Sequence, residues 1–393
     1  MENFTFYSPT EFVFGRDTQH QAGELVKRYG GTKVLIVSGG RSAEQSGLLN
    51  QIRASLAEAG IAYVEQKGIR PNPTDDAVYE GIDIARREAA DFILAVGGGS
   101  VIDSAKAVAL GTHYKGDFWD YYCGKTTVPV PETLPVGVVL TIPAAGSEGS
   151  GNSVITKLEG RHKISVRYPM HLRPKFAVMN PELTMSLPWF QTACGISDML
   201  CHIFERYFSN TQATTVPDSI AEAIMRDVMK QALILMKDPD NYDARAAVMW
   251  SSTLAHNGLC GTGKQEDWSS HRLEHELSAW YDVAHGAGLS VMVPAWMEFV
   301  SHKNPAKVLT FATNVMGICP EGKTPEELCR LAIEALKGFY RSLQLPTDIR
   351  TLIGREPDID MLVDSLRGNM GDTLGFYVKL SMDDCRQIYT LAL

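Results

Sequence analysis

Histidine is scarce in this chain, yet three of its ten histidines, His271, His275 and His285, fall within the single stretch SHRLEHELSAWYDVAHGAG. Neutral imidazole is a common transition-metal ligand, and near neutral pH it also carries protons. A second stretch, GISDMLCHIFERYFS, places Asp198 four residues before His202. On a helix that spacing puts a carboxylate and an imidazole on one face, within reach of one ion. Alone, such a pair is more often a surface pair than a ligand pair. Together with His271 and His285 it offers one carboxylate and three imidazoles, which suits Fe²⁺, Zn²⁺, Mn²⁺ or Co²⁺. No thiolate takes part, which argues against a closed structural zinc site. His285 is followed by Gly286, Ala287 and Gly288, small residues that leave space beside it. His275 lies one helical turn from His271 and is read as a proton relay, or else as a further ligand or a partner of one.

Two glycine turns point to a different chemistry. AVGGGSVIDSAKA sets Gly97, Gly98 and Gly99 at the end of an apolar run, with Ser100 as the expected N-cap of a following helix. Glycines let backbone approach a ligand closely, and helix N-terminal N–H groups favour a phosphate. The alternative is a plain strand-to-helix turn. The run matches neither GxGxxG nor the P-loop ending. The second turn, SGGRS, holds Gly39, Gly40, Arg41 and Ser42, with no acid before Glu44. An acid at such a turn bonds a ribose hydroxyl, whereas an arginine accommodates a 2′-phosphate. The turn therefore predicts NADP(H) in preference to NAD(H).

These residues need a scaffold, and 393 residues with 45% hydrophobic and 21% charged content can build two cores. The first half alternates apolar runs (KVLIVSGG, IAYVEQKG, DFILAVGGGS, LPVGVVLTIPAA, KFAVMNPELT) with amphipathic stretches (EQSGLLNQIRASLAEAG, TDDAVYEGIDIARREAA, VIDSAKAVALG). Thr74 is the expected N-cap of the second of these helices. Strand–helix alternation predicts an α/β domain with a parallel sheet, placed over residues 1–185. From about Leu187 long helical patterns follow one another, and an all-α domain is placed over 186–393. A net charge of −9 without a Lys/Arg block excludes an electrostatic nucleic-acid footprint. No apolar run has the length of a membrane span, and the N-terminal residues do not read as a secretory signal. Seven scattered cysteines without a CxxC pair suggest no disulfide framework, so a cytoplasmic location is expected.

Several motifs in this order, GGGSVIDSAK, TIPAAGSEGSGNSVIT, RPKFAVMNPELT, GISDMLCHIFERYFS, HNGLCGTGKQEDWSSHRLEHELSAWYDVAHGAGLSVMVPAW and DTLGFYVKL, resemble the iron-containing (group III) alcohol dehydrogenases. The likeness spans nearly the whole chain and leans towards the butanol dehydrogenase and NADPH-dependent aldehyde reductase branch. It implies a dehydroquinate synthase-like fold, with metal ligands Asp198, His202, His271 and His285 and a histidine near the nicotinamide at His275. It implies a pyrophosphate loop at Gly97, Gly98, Gly99 and Ser100 with Asp103 nearby, and cofactor contacts at Thr141, Ser147 and Lys163. Where the family often reads Asp-Ala-Leu-Thr-His, this chain has DMLCH, so Cys201 stands beside His202.

The resemblance implies reversible hydride transfer between NAD(P)H and a primary alcohol or aldehyde, a divalent metal (Fe²⁺ first, Zn²⁺ second), the site between two domains, and a homodimer or larger assembly. Two other readings stand beside it. A metal-dependent hydrolase would use a base such as Glu205 or Glu274 but would leave the glycine loop without a purpose. A polyol dehydrogenase or a sugar-phosphate cyclase could share the fold, but a cyclase needs basic residues for a substrate phosphate, and none cluster near the metal motifs.

Overall fold

Six strands form one parallel sheet in the first half of the chain. They are β1 (Glu11–Phe14), β2 (Lys33–Ser38), β3 (Ala62–Gln66), β4 (Phe92–Gly97), β5 (Val136–Leu140) and, after a hairpin of β6 (Asn152–Lys157) and β7 (His162–Arg167), β8 (Phe176–Met179). The computed structural model describes residues 1–126 and 133–393. The order across the sheet is β1-β8-β5-β4-β2-β3, every neighbouring pair parallel. Every residue of β4 and β5 is buried. Alternate residues Val34 and Ile36, and Phe92, Leu94 and Val96, pack with the Ala22–Arg28 and Leu48–Glu58 helices, while the residues between them are buried too. A sheet covered on both faces explains why these strands read as unbroken apolar runs.

The chain leaves β2 for β3 on one side and returns to β4 on the other. The order thus reverses between β2 and β4, and crevices at such points, outside the carboxyl ends of the strands, are where open α/β sheets bind ligands. Both glycine turns sit there, Gly39–Gly40 after β2 and Gly97–Gly99 after β4.

The second half is helical, apart from the two-residue strands Thr373–Leu374 and Leu380–Ser381. The Trp189–Tyr207, Thr215–Lys237, Tyr242–His256, Ser269–Tyr281, His285–Lys303 and Pro325–Ser342 helices share one core. The His285–Lys303 helix is buried over most of its length and packs against the Trp189–Tyr207, Ser269–Tyr281 and Pro325–Ser342 helices. No helix among the described residues is long and apolar enough to cross a membrane.

Several local expectations shift. The two compact units are Tyr7–Leu187, and Pro188–Leu393 together with Met1–Phe6, rather than 1–185 and 186–393. The first six residues join the helical unit because the Met1 amine donates to Gln212 O and Glu2 N to Gly263 O. The helix after the triple glycine begins at Gly99, so Gly98 is its N-cap and Ser100 sits inside the first turn. Thr74 does precede its helix in extended backbone, but its hydroxyl bonds the Asp76 carboxylate instead of capping a backbone N–H. The EQSGLLNQIRASLAEAG stretch breaks into two helices at Gly47, whose φ of 79° lies in the left-handed region. The β6–β7 hairpin and β1 are additions that the sequence pattern did not reveal.

Candidate active site

The four residues expected to hold a metal come from three helices of the helical unit. Asp198 and His202 share one face of the Trp189–Tyr207 helix, His271 stands in the first turn of Ser269–Tyr281, and His285 opens His285–Lys303. The donor atoms of Asp198, His202 and His271 all lie within 4.8 Å of one another, and His285 approaches this group through Asp198. Asp198 Oδ1 lies 3.3 Å from His202 Nε2, 3.7 Å from His271 Nε2 and 3.8 Å from His285 Nε2. Asp198 Oδ1 and His271 Nε2 are both buried and make no hydrogen bond. Two orphaned buried polar atoms aimed at one point are costly unless a further group satisfies them. A divalent cation fits the donor set and would supply that group.

Each imidazole is held from behind through its other nitrogen. His271 Nδ1 lies 2.6 Å from Glu205 Oε2, and Glu205 Oε1 accepts from Ser270 Oγ (2.8 Å) and from His271 N (3.0 Å). Glu205 thus accepts from the first turn of the Ser269–Tyr281 helix with one oxygen and sets the other against the ring as an ion pair without a hydrogen bond. His285 Nδ1 bonds Glu274 Oε2, and His202 Nδ1 lies 2.8 Å from His256 Nδ1. Such partners set which nitrogen faces a metal. Burial, with the neighbouring His256 and His271, pushes His202 well below the ordinary imidazole range. Burial acts the same way on His271, but the Glu205 carboxylate outweighs it and holds that ring well above. Glu205 and Glu274 are therefore engaged with ring nitrogens, which removes the two carboxylates that a hydrolase reading would use as bases. Their signal in the sequence was their spacing: each lies three residues after a metal-site histidine on the same helix.

His275 is buried on the Ser269–Tyr281 helix, its ring centroid 6.1 Å from that of His271 and 5.7 Å from that of His285. Cys201 faces the back of the site, with Sγ 3.3 Å from His271 Nδ1, and burial pushes its thiol up to about 11. The small residues after His285 serve packing. A Cβ on Gly286 would collide with the Cys194 carbonyl, and one on Gly288 would lie 2.6 Å from Glu274 Oε1.

In the α/β unit the glycine loop is shaped by close approach. A Cβ on Gly97 would lie 2.6 Å from Val101 Cγ2, and one on Gly98 2.9 Å from Ile142 Cβ, whereas Gly99 meets nothing nearer than 3.9 Å. The N-terminus of the Gly99–Thr112 helix follows directly and favours an anion. Thr141 lies beside the loop, its N–H donating to Gly97 O at 3.1 Å. Asp103 and Ser147 are joined: Ser147 Oγ donates to Asp103 Oδ1 at 2.6 Å, and Asp103 Oδ2 accepts from Val154 N at 2.9 Å. Sequence reasoning misses Lys106, the lysine of GGGSVIDSAK. Its fully buried Nζ donates to Ser147 O and Oγ, Ser150 O and Asn152 O at 2.7–2.9 Å. Burial pushes this ammonium down to about 8, with Asp103 and Glu148 opposing. Lys163 is buried on β7, with Nζ 3.1 Å from Asn72 Oδ1.

At the other turn a Cβ on Gly40 would meet open space, and Arg41 and Ser42 are exposed. The Arg41 guanidinium makes no hydrogen bond or ion pair among the described residues. The nearest following acid, Glu44, is ionised and paired: hydrogen bonds from Arg53 and then Lys67 hold its carboxyl down at about 2.

Comparison with known proteins shows the family. A family model described as iron-containing alcohol dehydrogenase matches residues 9–181, and one for the C-terminal part of the Fe-containing alcohol dehydrogenase family matches 192–393. The chain belongs to the iron-containing alcohol dehydrogenase family. It is an NAD(P)H-linked alcohol dehydrogenase. NADH-dependent butanol dehydrogenase A of Clostridium acetobutylicum is 39% identical, over 99% of both chains. NADPH-dependent aldehyde reductase YqhD of Escherichia coli is 33% identical over the full length of both. The crystal structure of NADH-dependent butanol dehydrogenase A from Thermotoga maritima matches with a TM-score of 0.95 at 41% identity, covering 100% of this chain and 99% of that one. The parallel sheet followed by a helical region is thus the fold of this family.

Proposed function

We propose that this alcohol dehydrogenase interconverts primary alcohols and aldehydes, with Fe²⁺ as its first-choice metal, Zn²⁺ as its second, and NADP(H) preferred to NAD(H). Asp198, His202, His271 and His285 would hold the ion. The observation that carries this assignment is the convergence of buried, unbonded Asp198 Oδ1 and His271 Nε2 on one point. When bound, the ion supplies Lewis-acid polarisation of the carbonyl oxygen and the nicotinamide supplies the hydride. The residues do the rest. Glu205, Glu274 and His256 keep three ring nitrogens aimed inward. His275 hands a proton towards the alkoxide oxygen in reduction and takes one in oxidation.

On the α/β side, Gly97, Gly98, Gly99 and Ser100 would bind the pyrophosphate, with Thr141, Ser147 and Lys163 lining the cofactor and Asp103 setting the position of Ser147. Gly39, Gly40, Arg41 and Ser42 would take the adenosine 2′-phosphate. The exposed Arg41 and the pairing of Glu44 with Arg53 and Lys67 support that preference. The names of relatives divide, since the Clostridium enzyme is NADH-dependent and the Escherichia coli enzyme NADPH-dependent. A cytoplasmic, homodimeric or larger enzyme without nucleic-acid or membrane partners completes the reading.

The test is a steady-state assay of NADPH and NADH oxidation across aldehydes of increasing length, on chelator-stripped and Fe²⁺-reconstituted protein. The reading expects turnover of short aldehydes that is lost on stripping, returns with the metal and is faster with NADPH. Equal turnover by stripped protein would refute it.

A further inference from the structure

Glu274 is wholly buried, on the Ser269–Tyr281 helix, one turn beyond His271. A buried carboxylate is costly unless each oxygen finds a donor. Here both do: Oε2 bonds His285 Nδ1, and Oε1 accepts from Ser278 Oγ on the same helix. The side chain occupies space that exists only because residue 288 is glycine. A Cβ there would lie 2.6 Å from Glu274 Oε1, 2.7 Å from Cγ and 3.0 Å from Cδ. Gly288 has no unusual backbone conformation that would otherwise require glycine; it stands inside the His285–Lys303 helix. Helix interiors disfavour glycine by about 1 kcal/mol relative to alanine. The glycine therefore pairs with the carboxylate, as a cradle formed by one helix for a residue of its neighbour.

We propose that Glu274 is a positioning residue for the metal centre, seated by Gly288, which holds His285 in the tautomer that carries its proton on Nδ1 and turns Nε2 towards Asp198. A carboxylate can only accept, so the ring must donate from Nδ1, and the Nε2 lone pair is left for the ion. The accepted hydrogen bond also makes Nε2 a stronger donor. His285 is the most exposed of the three rings, with 25% of its side-chain surface accessible against 6% for His202 and His271. It is packed least, so its orientation depends most on this one bond. The inference rests on the assignment of His285 as a ligand.

The test uses Co²⁺ added to the chelator-stripped full chain. Its affinity is read by competition with a chromophoric chelator and its coordination by visible absorption, with circular dichroism reporting the fold. Glu274→Leu should weaken Co²⁺ by about ten- to a hundredfold and alter the visible bands. Glu274→Gln, whose amide oxygen still accepts from Nδ1, should fall between Glu274→Leu and the parent chain. Gly288→Ala should weaken the ion in the same direction with Glu274 still present. The pair His285→Ala with Glu274→Leu should bind Co²⁺ no worse than His285→Ala alone. If His285→Ala weakens the ion but Glu274→Gln and Gly288→Ala leave affinity and spectrum unchanged, the positioning role is refuted while the ligand set stands. If His285→Ala itself leaves affinity unchanged, the ligand assignment and the inference built on it both fall. Should Glu274→Leu not fold, the glutamine and alanine variants decide the matter.

Discussion

Placing one carboxylate at Gly39 should invert the cofactor preference. The position accepts it. A Cβ there meets only Val101 Cγ2 at 3.5 Å and Ile69 O at 3.6 Å, and the backbone is not in the left-handed region. Gly39→Asp should therefore fold as the parent does. Two unit charges about 5 Å apart interact by about 0.8 kcal/mol in bulk water and about 3 kcal/mol at an effective dielectric near 20. The turn is partly exposed, so an intermediate penalty of about 1.5–2.5 kcal/mol against the 2′-phosphate is expected, or about ten- to seventyfold in relative kcat/KM. The same carboxylate gains a hydrogen bond from the ribose hydroxyl of NADH, which widens the change. The assay is the ratio of kcat/KM for NADPH and NADH with butanal as the fixed substrate. Raising ionic strength should narrow the parent's preference, because exposed charges are screened. An unchanged ratio in Gly39→Asp, with an unchanged melting temperature, would show that this turn does not read the 2′-phosphate.

Three further outcomes are expected. His275→Ala should keep its metal by elemental analysis but lose about a hundredfold or more in kcat and lose one limb of the pH–rate profile; loss of the metal would make it a ligand instead. Lys106→Met strips one charged donor from three carbonyls and a hydroxyl, and should destabilise the chain by about 3 kcal/mol in chemical denaturation while raising KM for the nucleotide; an unaltered denaturation curve would contradict this. Asp218 is held below the ordinary carboxylate range: burial opposes, but Lys264 and Lys307 outweigh it. Its contribution is thus complete above the unfolded value near 4 and lost as pH falls through the lower folded one. Asp218→Asn, which leaves Lys264 buried without its carboxylate, should cost about 3 kcal/mol at pH 7, with a gap to the parent that closes only in acid; a gap independent of pH would refute the pairing.

The α/β sheet was legible because β2, β4 and β5 are buried on both faces and so appear as bare apolar runs. β1 was not, being a four-residue edge strand with mostly half-buried residues. The β6–β7 hairpin was hidden because Asn152–Arg167 interleaves charged and apolar residues around Gly160 without a compact turn signal. In the site, the four-residue spacing of Asp198 and His202 announces one helical face. Nothing in spacing brings His271 and His285 to that face; their residue types suggested the group and the resemblance implied it, since it depends on how three helices pack. The supporting groups were harder still. Glu205, Glu274 and His256 look like ordinary helical polar residues until the fold sets each against an imidazole Nδ1. Asp103 and Lys106 show the same limit from the other direction: the resemblance marks Asp103 and passes over Lys106, and only the structure reveals that both tie down the segment around Ser147.

The central claim is that one divalent ion sits where four named donor atoms converge. Diffraction data collected on either side of the iron absorption edge, from crystals of Fe²⁺-reconstituted protein, test it most directly. The account predicts one anomalous peak per chain, about 2.0–2.2 Å from Asp198 Oδ1 and from Nε2 of His202, His271 and His285. A peak on the opposite side of His271, among Cys201 Sγ, Glu205 Oε2 and His271 Nδ1, or no peak in protein that reduces aldehydes at full rate, would contradict it.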